Sequence, residues 1–260
     1  MFIIKLGGSV ITDKRKENCF KQEIADNLAK EIKKANKEVI IIHGAGSFGH
    51  ILAKKYDLNK GRINDSQLQG FSLTHNMVQK LNSLVLDSLH KNNIPAVSIP
   101  PHAFLKLNDN KPNKFNFSIL KDYLNEGFTP VSFGDVVLDE KLGFSICSGD
   151  ILIQLFAEYF RPEKIIFILD EDGIYTSNPK INSNAKLIKK ATIDELEKFS
   201  TSLDTHDDVT GGMQGKLITI KNISQMGIDT VLVNGNKPDR LYKVLVGGDT
   251  ISTIICGGKK

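Results

Sequence analysis

Residues 39–50 read Val39-Ile40-Ile41-Ile42-His43-Gly44-Ala45-Gly46-Ser47-Phe48-Gly49-His50, an apolar run followed by three glycines. A short run of β-branched residues with no polar alternation predicts a strand buried on both faces, which is typical of parallel sheets covered by helices. Similar runs recur along the chain and alternate with segments of helical period. The sequence therefore predicts the α/β class, as a three-layer α/β/α sandwich with a mainly parallel central sheet.

The individual elements follow from the same periodicities. Strands are predicted at Phe2–Ile4, Val39–Ile42, Ala96–Ile99, Thr129–Ser132, Lys164–Leu169 and Val231–Val233. Helices are predicted at Gln22–Ala35, Ser66–Lys91, Ser118–Glu126, Asp150–Tyr159, Gly215–Met226 and Pro238–Val246. Asp135–Cys147 is predicted to be a hairpin, because two apolar runs flank a polar turn. The polar segments Lys54–Asp65 and Lys180–Lys190 are predicted to be surface loops.

Composition limits the classes of function. The chain has 260 residues, 40% hydrophobic and 25% charged, which predicts a single globular domain over residues 1–260. The net charge of +4 comes from basic residues that are spread along the chain, so no nucleic-acid partner is expected. Cys19, Cys147 and Cys256 form no C-x-x-C pair, and no leader or membrane span is visible, which predicts a cytoplasmic protein with reduced thiols and no membrane partner.

Two glycine turns follow predicted strands. Lys5-Leu6-Gly7-Gly8-Ser9 ends the first strand, and glycines there let backbone N–H groups approach an anion. Glycines 44, 46 and 49 match G-x-G-x-x-G and open a helix. A dinucleotide site would need a further strand soon after that helix, whereas residues 54–61 form a polar stretch, so a phosphate cradle is preferred. Beside it, His50 either donates a hydrogen bond to a bound phosphate or is a solvated histidine of the first helical turn. His43 is expected to be a core residue.

Two more turns have the same character. Residues 208–216 read Asp208-Val209-Thr210-Gly211-Gly212-Met213-Gln214-Gly215-Lys216, with glycines before a helix and a lysine in its first turns. Residues 169–179 follow the strand Lys164–Leu169 and contain Asp170, Glu171 and Asp172, which are suited to ribose or to the water shell of Mg²⁺. No residue is assigned as a direct metal ligand.

Taken together and in order, these turns resemble the amino acid kinase family, and within it the archaeal-type isopentenyl phosphate kinases. The resemblance spans nearly the whole chain, from Lys5-Leu6-Gly7-Gly8-Ser9 to Asn234-Gly235-Asn236. The histidine-bearing turn His43–His50 is similar to the monophosphate kinases of the family rather than to the kinases of carboxylates. The chain departs from the family pattern at Ile151, where a second acid is common, and at Leu169-Asp170-Glu171-Asp172.

The resemblance implies the amino acid kinase fold, ATP and Mg²⁺ as cofactors, a small-molecule phosphate as acceptor and a homodimer. It implies an acceptor-phosphate site in the N-terminal part and a nucleotide site from about residue 160 onward. By this resemblance, the catalytic residues are Lys5, Lys14, His50, Asp150 and Lys216. The nucleotide site would contain Lys5, Leu6, Gly7, Gly8, Ser9, Gly46, Asp170, Tyr175, Pro179, Lys180, Gly212 and Lys216, and the acceptor site Ala45, Gly46, Gly49, His50 and Gly149.

The expected chemistry is direct attack of an acceptor phosphate oxygen on the γ-phosphorus of ATP, with isopentenyl phosphate as the leading acceptor. Its tail is expected to lie near Ile146 and Ile151, and near apolar residues of the helix Ser66–Lys91 if that stripe is not core. Three alternatives stay open: a kinase of another small phosphate or phosphonate such as fosfomycin, a uridylate kinase, and a nucleotide-binding protein without catalysis.

Overall fold

A computed structural model describes residues 1–13, 15–177, 179, 181–200 and 212–258, with only the backbone of residues 197–200, 212 and 213. The strands are β1 Phe2–Leu6, β2 Val39–His43, β3 Ala96–Ser98, β4 Leu105–Asn108, β5 Lys111–Phe115, β6 Thr129–Phe133, β7 Asp135–Asp139, β8 Gly143–Cys147, β9 Lys164–Leu169, β10 Lys190–Ala191, β11 Asp229–Asn234 and β12 Thr253–Ile255. The α-helices are α1 Gly8–Ile11, α2 Gln22–Ala35, α3 Gly46–Lys55, α4 Ser66–Lys91, α5 Ser118–Asn125, α6 Gly149–Phe160, α7 Ile193–Ser200, α8 Gly212–Gln225 and α9 Arg240–Leu245. Leu58–Lys60 and Pro101–Ala103 are 3₁₀ turns.

The large sheet has the strand order β10-β12-β11-β9-β1-β2-β6-β3, and β12 is antiparallel to β11 while the other pairs are parallel. β1 lies near its centre, with Lys5 level with Ile42 of β2 and Phe167 of β9. This confirms the predicted α/β class with a mainly parallel central sheet.

Helices cover both faces of that sheet because its central strands are apolar on both sides. Ile3 of β1 belongs to the hydrophobic core that includes residues of α5, α6 and α8. Its neighbours Phe2 and Ile4 belong to the opposite core, with residues of α2, α4 and α9. Side chains of a strand alternate between faces, so one five-residue strand anchors two helical layers.

A second, four-stranded sheet has the order β5-β4-β7-β8. β7 and β8 are the predicted hairpin, which is confirmed with Asp135 paired to Cys147. The hairpin of β4 and β5 was not predicted, because β5 is almost wholly exposed and has the polar sequence Lys-Pro-Asn-Lys-Phe. No described helix combines the length and the apolar character needed to cross a membrane.

The predicted element boundaries differ from the observed ones by a few residues. β1 and β2 extend one or two residues beyond their predicted ends, and α8 begins three residues before the predicted Gly215. The segment Lys54–Asp65 is only partly a loop, since it contains the end of α3 and the 3₁₀ turn at Leu58, whose side chain is fully buried.

Candidate active site

The predicted glycine turns come together at one edge of the large sheet. β1, β2 and β9 are parallel neighbours, so their carboxyl ends lie side by side. Gly7 follows β1, Gly44 follows β2 and Asp170 follows β9. Ligands of α/β proteins usually bind at this edge, because the loops that leave it end in helix N-termini.

The turns after β1 and β2 touch backbone to backbone. A Cβ on Gly8 would lie 2.7 Å from the backbone nitrogen of Gly46, and one on Gly44 would lie 2.9 Å from that of Gly8. Gly46 also has a φ of +52°, which side chains rarely tolerate. The glycines therefore allow the two loops to pack against each other, and they also allow backbone N–H groups to approach an anion.

Thr12 holds the two loops together and was not predicted from the sequence. Its hydroxyl donates to the carbonyl of Gly8 at 2.7 Å and accepts from the backbone N–H of Ser47 at 3.1 Å. The side chain is fully buried. Sequence reasoning singled out Lys14 from the same Thr12-Asp13-Lys14 segment, and nothing in a lone threonine signals a contact with residue 47.

Lys5, Asp150 and Lys216 form a charged cluster from three distant parts of the chain. The Nζ atom of Lys5 lies 2.5 Å from Oδ1 of Asp150, and that of Lys216 lies 3.9 Å from the same oxygen. Both ammonium groups lie 5.6 Å from the ring centre of Phe167. The structure thus brings together three of the predicted catalytic residues.

Burial sets the charge states of this cluster. It lowers the pKa of Lys5 to about 8, and the charge of Lys216 adds to that effect while Asp150 opposes it. Burial by itself raises the pKa of Asp150, but the charges of Lys5 and Lys216 outweigh it and bring that pKa below the ordinary value. One carboxylate thus faces two cations, which leaves positive charge for an anionic ligand.

The N-terminus of α6 positions Asp150. Ser148 is the N-cap, and its hydroxyl accepts from the N–H of Ile151 at 3.2 Å. Asp150 lies in the first turn, where a negative charge is favoured by the helix dipole. A Cβ on Gly149 would lie 3.1 Å from Cε of Lys5, so a larger residue would press on that lysine.

On the predicted nucleotide side, Asp170 and Asp172 have different environments. Asp170 is exposed and accepts a hydrogen bond from Ser9 at 3.1 Å. Asp172 is bound by Arg240 at 2.6 Å and Asn234 at 2.9 Å, which makes it part of the framework. Of these two aspartates, Asp170 is therefore the one that is accessible to a ligand.

The remaining nucleotide-site residues are less closely gathered. Leu6 is buried, and Tyr175 is half-buried and pairs with Leu187 through an isolated bridge. Pro179 is half-buried, and Gly212 begins α8. Lys14 and Lys180 lie outside the described residues, as does residue 211, so their predicted roles stay predictions.

On the predicted acceptor side, the turn after β2 opens α3. Ala45 is its N-cap residue and provides no side-chain cap, and in the first turn the N–H of Ser47 donates to Thr12 instead. His50 is half-buried in this helix. Gly49 is buried, and a Cβ there would lie 2.9 Å from Val78, so it also permits the close packing of α3 on α4.

His43 is a core residue, as predicted. It is fully buried, stacks on Phe133 with ring centres 5.2 Å apart and lies 3.2 Å from Oδ1 of Asn82. Burial lowers its pKa to about 4, so the ring is neutral near pH 7. It does not contribute charge to the site.

A cavity of about 290 Å³ opens beside the charged cluster. Its wall includes Ile146 and Ile151, as predicted for the acceptor's tail, together with Ile218 of α8. Polar side chains share the wall, and they are Asn59, Asn110, Ser145, Ser148, Asp150, Gln154 and Thr219. The apolar residues of α4 do not line this cavity. Val78 and Leu81 are core residues with no exposed surface, whereas Phe71 is half-buried and packs against the same small cluster as Ile146.

Comparison with known proteins agrees with this geometry. Residues 1–234 match the model of the amino acid kinase family. The chain is 40% identical to the isopentenyl phosphate kinase of Methanothermobacter thermautotrophicus, over 99% of both chains. It also matches an X-ray structure of isopentenyl phosphate kinase with a TM-score of 0.86 and 36% identity, over 98% of this chain and 99% of the other.

A further match is a crystal structure of an isopentenyl phosphate kinase substrate complex. Its TM-score is 0.78 and its identity 29%, over 98% of this chain and 100% of the other. The similarity therefore extends over nearly the whole chain.

Proposed function

The chain belongs to the amino acid kinase family, and from that membership we propose that it transfers the γ-phosphoryl group of ATP to isopentenyl phosphate. The products are isopentenyl diphosphate and ADP, and the reaction belongs to isoprenoid biosynthesis by a mevalonate-type route. The full-length similarity to isopentenyl phosphate kinases supports this acceptor over a carboxylate.

The observation that carries the proposal is the convergence of Lys5 and Lys216 on Asp150, beside the contact between the two glycine turns. Joining two phosphates requires that several negative charges be held close together. Cations already placed in a dry site stabilise such charge without reorganisation during the reaction. Asp150 orients the two ammonium groups toward that task.

The step is an in-line displacement at the γ-phosphorus. An oxygen of the acceptor phosphate forms the new P–O bond, the bond to the β,γ-bridging oxygen breaks, and ADP leaves with that electron pair. A phosphate monoester has its second pKa near about 6, so the attacking oxygen is already ionised at pH 7. A strong general base is therefore not needed, and no side chain carries the phosphoryl group.

The donor phosphates are assigned to Lys5, Lys216 and the backbone of Gly7 and Gly8, with Gly46 at the boundary between the two substrates. The exposed carboxylate of Asp170 fits the Mg²⁺ that accompanies ATP, because hard oxygen ligands and bound water suit that ion. When bound, Mg²⁺ neutralises charge on the β- and γ-phosphates. On the family resemblance alone, Lys14 is assigned as the lysine that stabilises the transition state, and Lys180 is assigned to the lining of the nucleotide pocket.

The acceptor phosphate is assigned to the start of α3, formed by Ala45 and Gly46, with Gly149 opposite. His50 of α3 positions that phosphate and reduces the repulsion between two anionic substrates. The cavity lined by Ile146, Ile151 and Ile218 takes the five-carbon tail.

A second acceptor class is favoured by one observation. The cavity wall contains several polar side chains, including Asn59, Asn110 and Ser145, besides its three isoleucines. Such a wall also suits a small polar phosphonate of the fosfomycin type. The acceptor panel below separates the two.

Three further features form part of the proposal. We infer a homodimer and a cytoplasmic location on the family resemblance. The acceptor phosphate is held by the part of the chain up to about residue 160, and the part after it holds the nucleotide together with Lys5 and the turn that follows β1.

The test is ADP release from MgATP, measured with isopentenyl phosphate, dimethylallyl phosphate, fosfomycin and UMP in turn. Wild-type protein is compared with Lys216→Ala and with Lys30→Ala, which removes an exposed lysine of α2 outside the site. We expect preference for isopentenyl phosphate, loss of at least 100-fold in kcat for Lys216→Ala and little change for Lys30→Ala, on the order expected for a group that stabilises transition-state charge.

Preference for fosfomycin or UMP would show that the acceptor is a different compound and would leave the assignment as a kinase in place. Full activity of Lys216→Ala would show that Lys216 is not part of the active site. ATP binding without turnover of any acceptor would favour a nucleotide-binding protein without catalysis.

A further inference from the structure

His75, His102 and Asp135 form a cluster outside the kinase site. They come from α4, from the 3₁₀ turn Pro101–Ala103 and from the first residue of β7. One ligand atom from each residue lies within 4.8 Å of the others. The cluster follows β6 at the carboxyl edge of the large sheet, and none of its members has a role in phosphoryl transfer.

The Asp135 carboxylate is the centre of the cluster. Its side chain has no exposed surface. Oδ1 accepts from the N–H of Val136 at 2.8 Å, and Oδ2 lies 2.7 Å from Nδ1 of His75. The same Oδ2 is 4.0 Å from Nδ1 of His102, too far for a hydrogen bond. A buried carboxylate is costly unless a cation or a metal compensates its charge, and two imidazoles face this one.

The two histidines leave one side of the cluster open. Their side chains are 24% and 39% exposed. Their rings are perpendicular, at 88°, with centres 4.5 Å apart. Two imidazoles and one carboxylate around a solvent-facing position are the protein ligands of a zinc site whose fourth ligand is water.

We propose that His75, His102 and Asp135 bind one divalent transition-metal ion, with Zn²⁺ as the ion that fits the ligand set. Nδ1 of each histidine and Oδ2 of Asp135 are the ligands. Tetrahedral Zn²⁺ with bonds of about 2.1 Å separates its ligands by about 3.3 Å. When the metal binds, the distance from Oδ2 of Asp135 to Nδ1 of His75 therefore lengthens from 2.7 Å, and the distance to Nδ1 of His102 shortens from 4.0 Å, each by less than about 1 Å. The proton between His75 and Asp135 is released to water.

An outer contact supports this choice of nitrogen. Nε2 of His75 lies 2.8 Å from the side-chain amide of Gln79, one turn further along α4. With Nδ1 on the metal, Nε2–H donates to the amide oxygen of Gln79, whose oxygen and nitrogen positions are interchangeable by rotation. Metal-bound histidines generally have such a partner on the second nitrogen.

The ion would have a structural role, because it would crosslink α4, the turn at 101–103 and β7. Its three ligand residues are far apart in sequence. α4 also packs against α3 at Gly49 and Val78, and α3 carries His50. Occupation of the site therefore stiffens the wall behind the acceptor loop without touching the substrates.

The experiment uses the full chain, stripped with a chelator and then titrated with ZnCl₂ by calorimetry in the presence of excess Mg²⁺. A parallel titration with Co²⁺ records the visible absorption of a tetrahedral site. The variants are His75→Gln and His102→Gln, and the control is His90→Gln, which removes a histidine of α4 that contacts the carbonyl of Ala96 instead.

We expect one equivalent of Zn²⁺ to bind to wild type and to His90→Gln, with affinity at least tenfold weaker in the two cluster variants. At free Zn²⁺ of about 100 times the wild-type Kd, the unfolding constant of wild type falls about 100-fold, which raises Tm, whereas that of His102→Gln falls at most about 11-fold and its Tm rises by at most about half as much. His102 is exposed, so its replacement leaves the core packing unchanged. Absence of one-to-one binding, or equal affinity in wild type and His102→Gln, would overturn the proposal and leave a His–Asp hydrogen bond as the role of the cluster.

Discussion

Replacement of Gly8 by alanine tests whether contact between the two glycine turns controls catalysis. A Cβ at residue 8 would lie 2.7 Å from the backbone nitrogen of Gly46 and 2.8 Å from its Cα. Ordinary contact begins at 3.4 Å, so the turns must separate by about 0.7 Å. The obstacle is backbone on both sides, which cannot rotate away.

The expected cost has two parts. Overpacking of this kind destabilises a fold by about 1–3 kcal/mol. Misplacement of reacting groups by about 1 Å lowers the rate roughly 100-fold, so a separation of about 0.7 Å predicts a fall in kcat of about 25-fold. The loss arises because one turn is assigned to the donor phosphates and the other to the acceptor phosphate.

The assay is steady-state ADP release at saturating MgATP and isopentenyl phosphate, with urea unfolding of the same samples. The matched control is Gly248→Ala, since a Cβ there would meet its nearest atom at 3.5 Å, an ordinary contact. The reasoning is refuted if Gly8→Ala retains kcat within about threefold of wild type while remaining folded, or if Gly248→Ala loses as much.

Three further predictions concern neighbouring residues. Because the pKa of Lys5 is about 8 and the ammonium form is the active one, kcat/KM should be level between about pH 7, where the acceptor phosphate is ionised, and pH 8, and it should fall above pH 8. Asp150→Asn should move this alkaline limb to lower pH, since the carboxylate favours the charged lysine, and an unmoved limb would contradict the assignment. Thr12→Val should lower the free energy of unfolding by about 1–3 kcal/mol in urea titrations, because the N–H of Ser47 loses its acceptor, whereas Thr12→Ser should lose less than half as much. His50→Ala should lower kcat by at least tenfold with secondary structure unchanged by circular dichroism, and His50→Gln should recover part of it if hydrogen bonding to the acceptor phosphate is the role.

Periodicity was enough to predict the strands that form the core of the large sheet. A run as short as Val39–Ile42 predicts a buried strand rather than a helix, because it is apolar on both faces and is followed by a glycine-rich turn. β5 could not be found this way, since its residues are polar and exposed and it depends on pairing with β4. β10 and β12 are likewise short strands that depend on the sheet edge beside them.

The candidate site was predicted unevenly. The glycine turns and the lysines carry a local signal, since glycine before a helix is a recognisable anion site. The contacts of Thr12 and the separate roles of Asp170 and Asp172 have no such signal. Asp172 is held by Arg240, 68 residues away, and only the fold brings that guanidinium to the turn.

By itself, the sequence determined the α/β class and the order of the main strands and helices, and it indicated candidate residues for phosphate binding, because these depend on local periodicity and on the chemistry of short motifs. Only the tertiary structure decided which of those residues meet. Parallel pairing of β1 with β2 and β9 places three turns at one edge, buries Lys5 beside Asp150 and lowers its pKa. The same folding brings His75, His102 and Asp135 within reach of one another. Such encounters join residues that are far apart in sequence, and no local pattern records them.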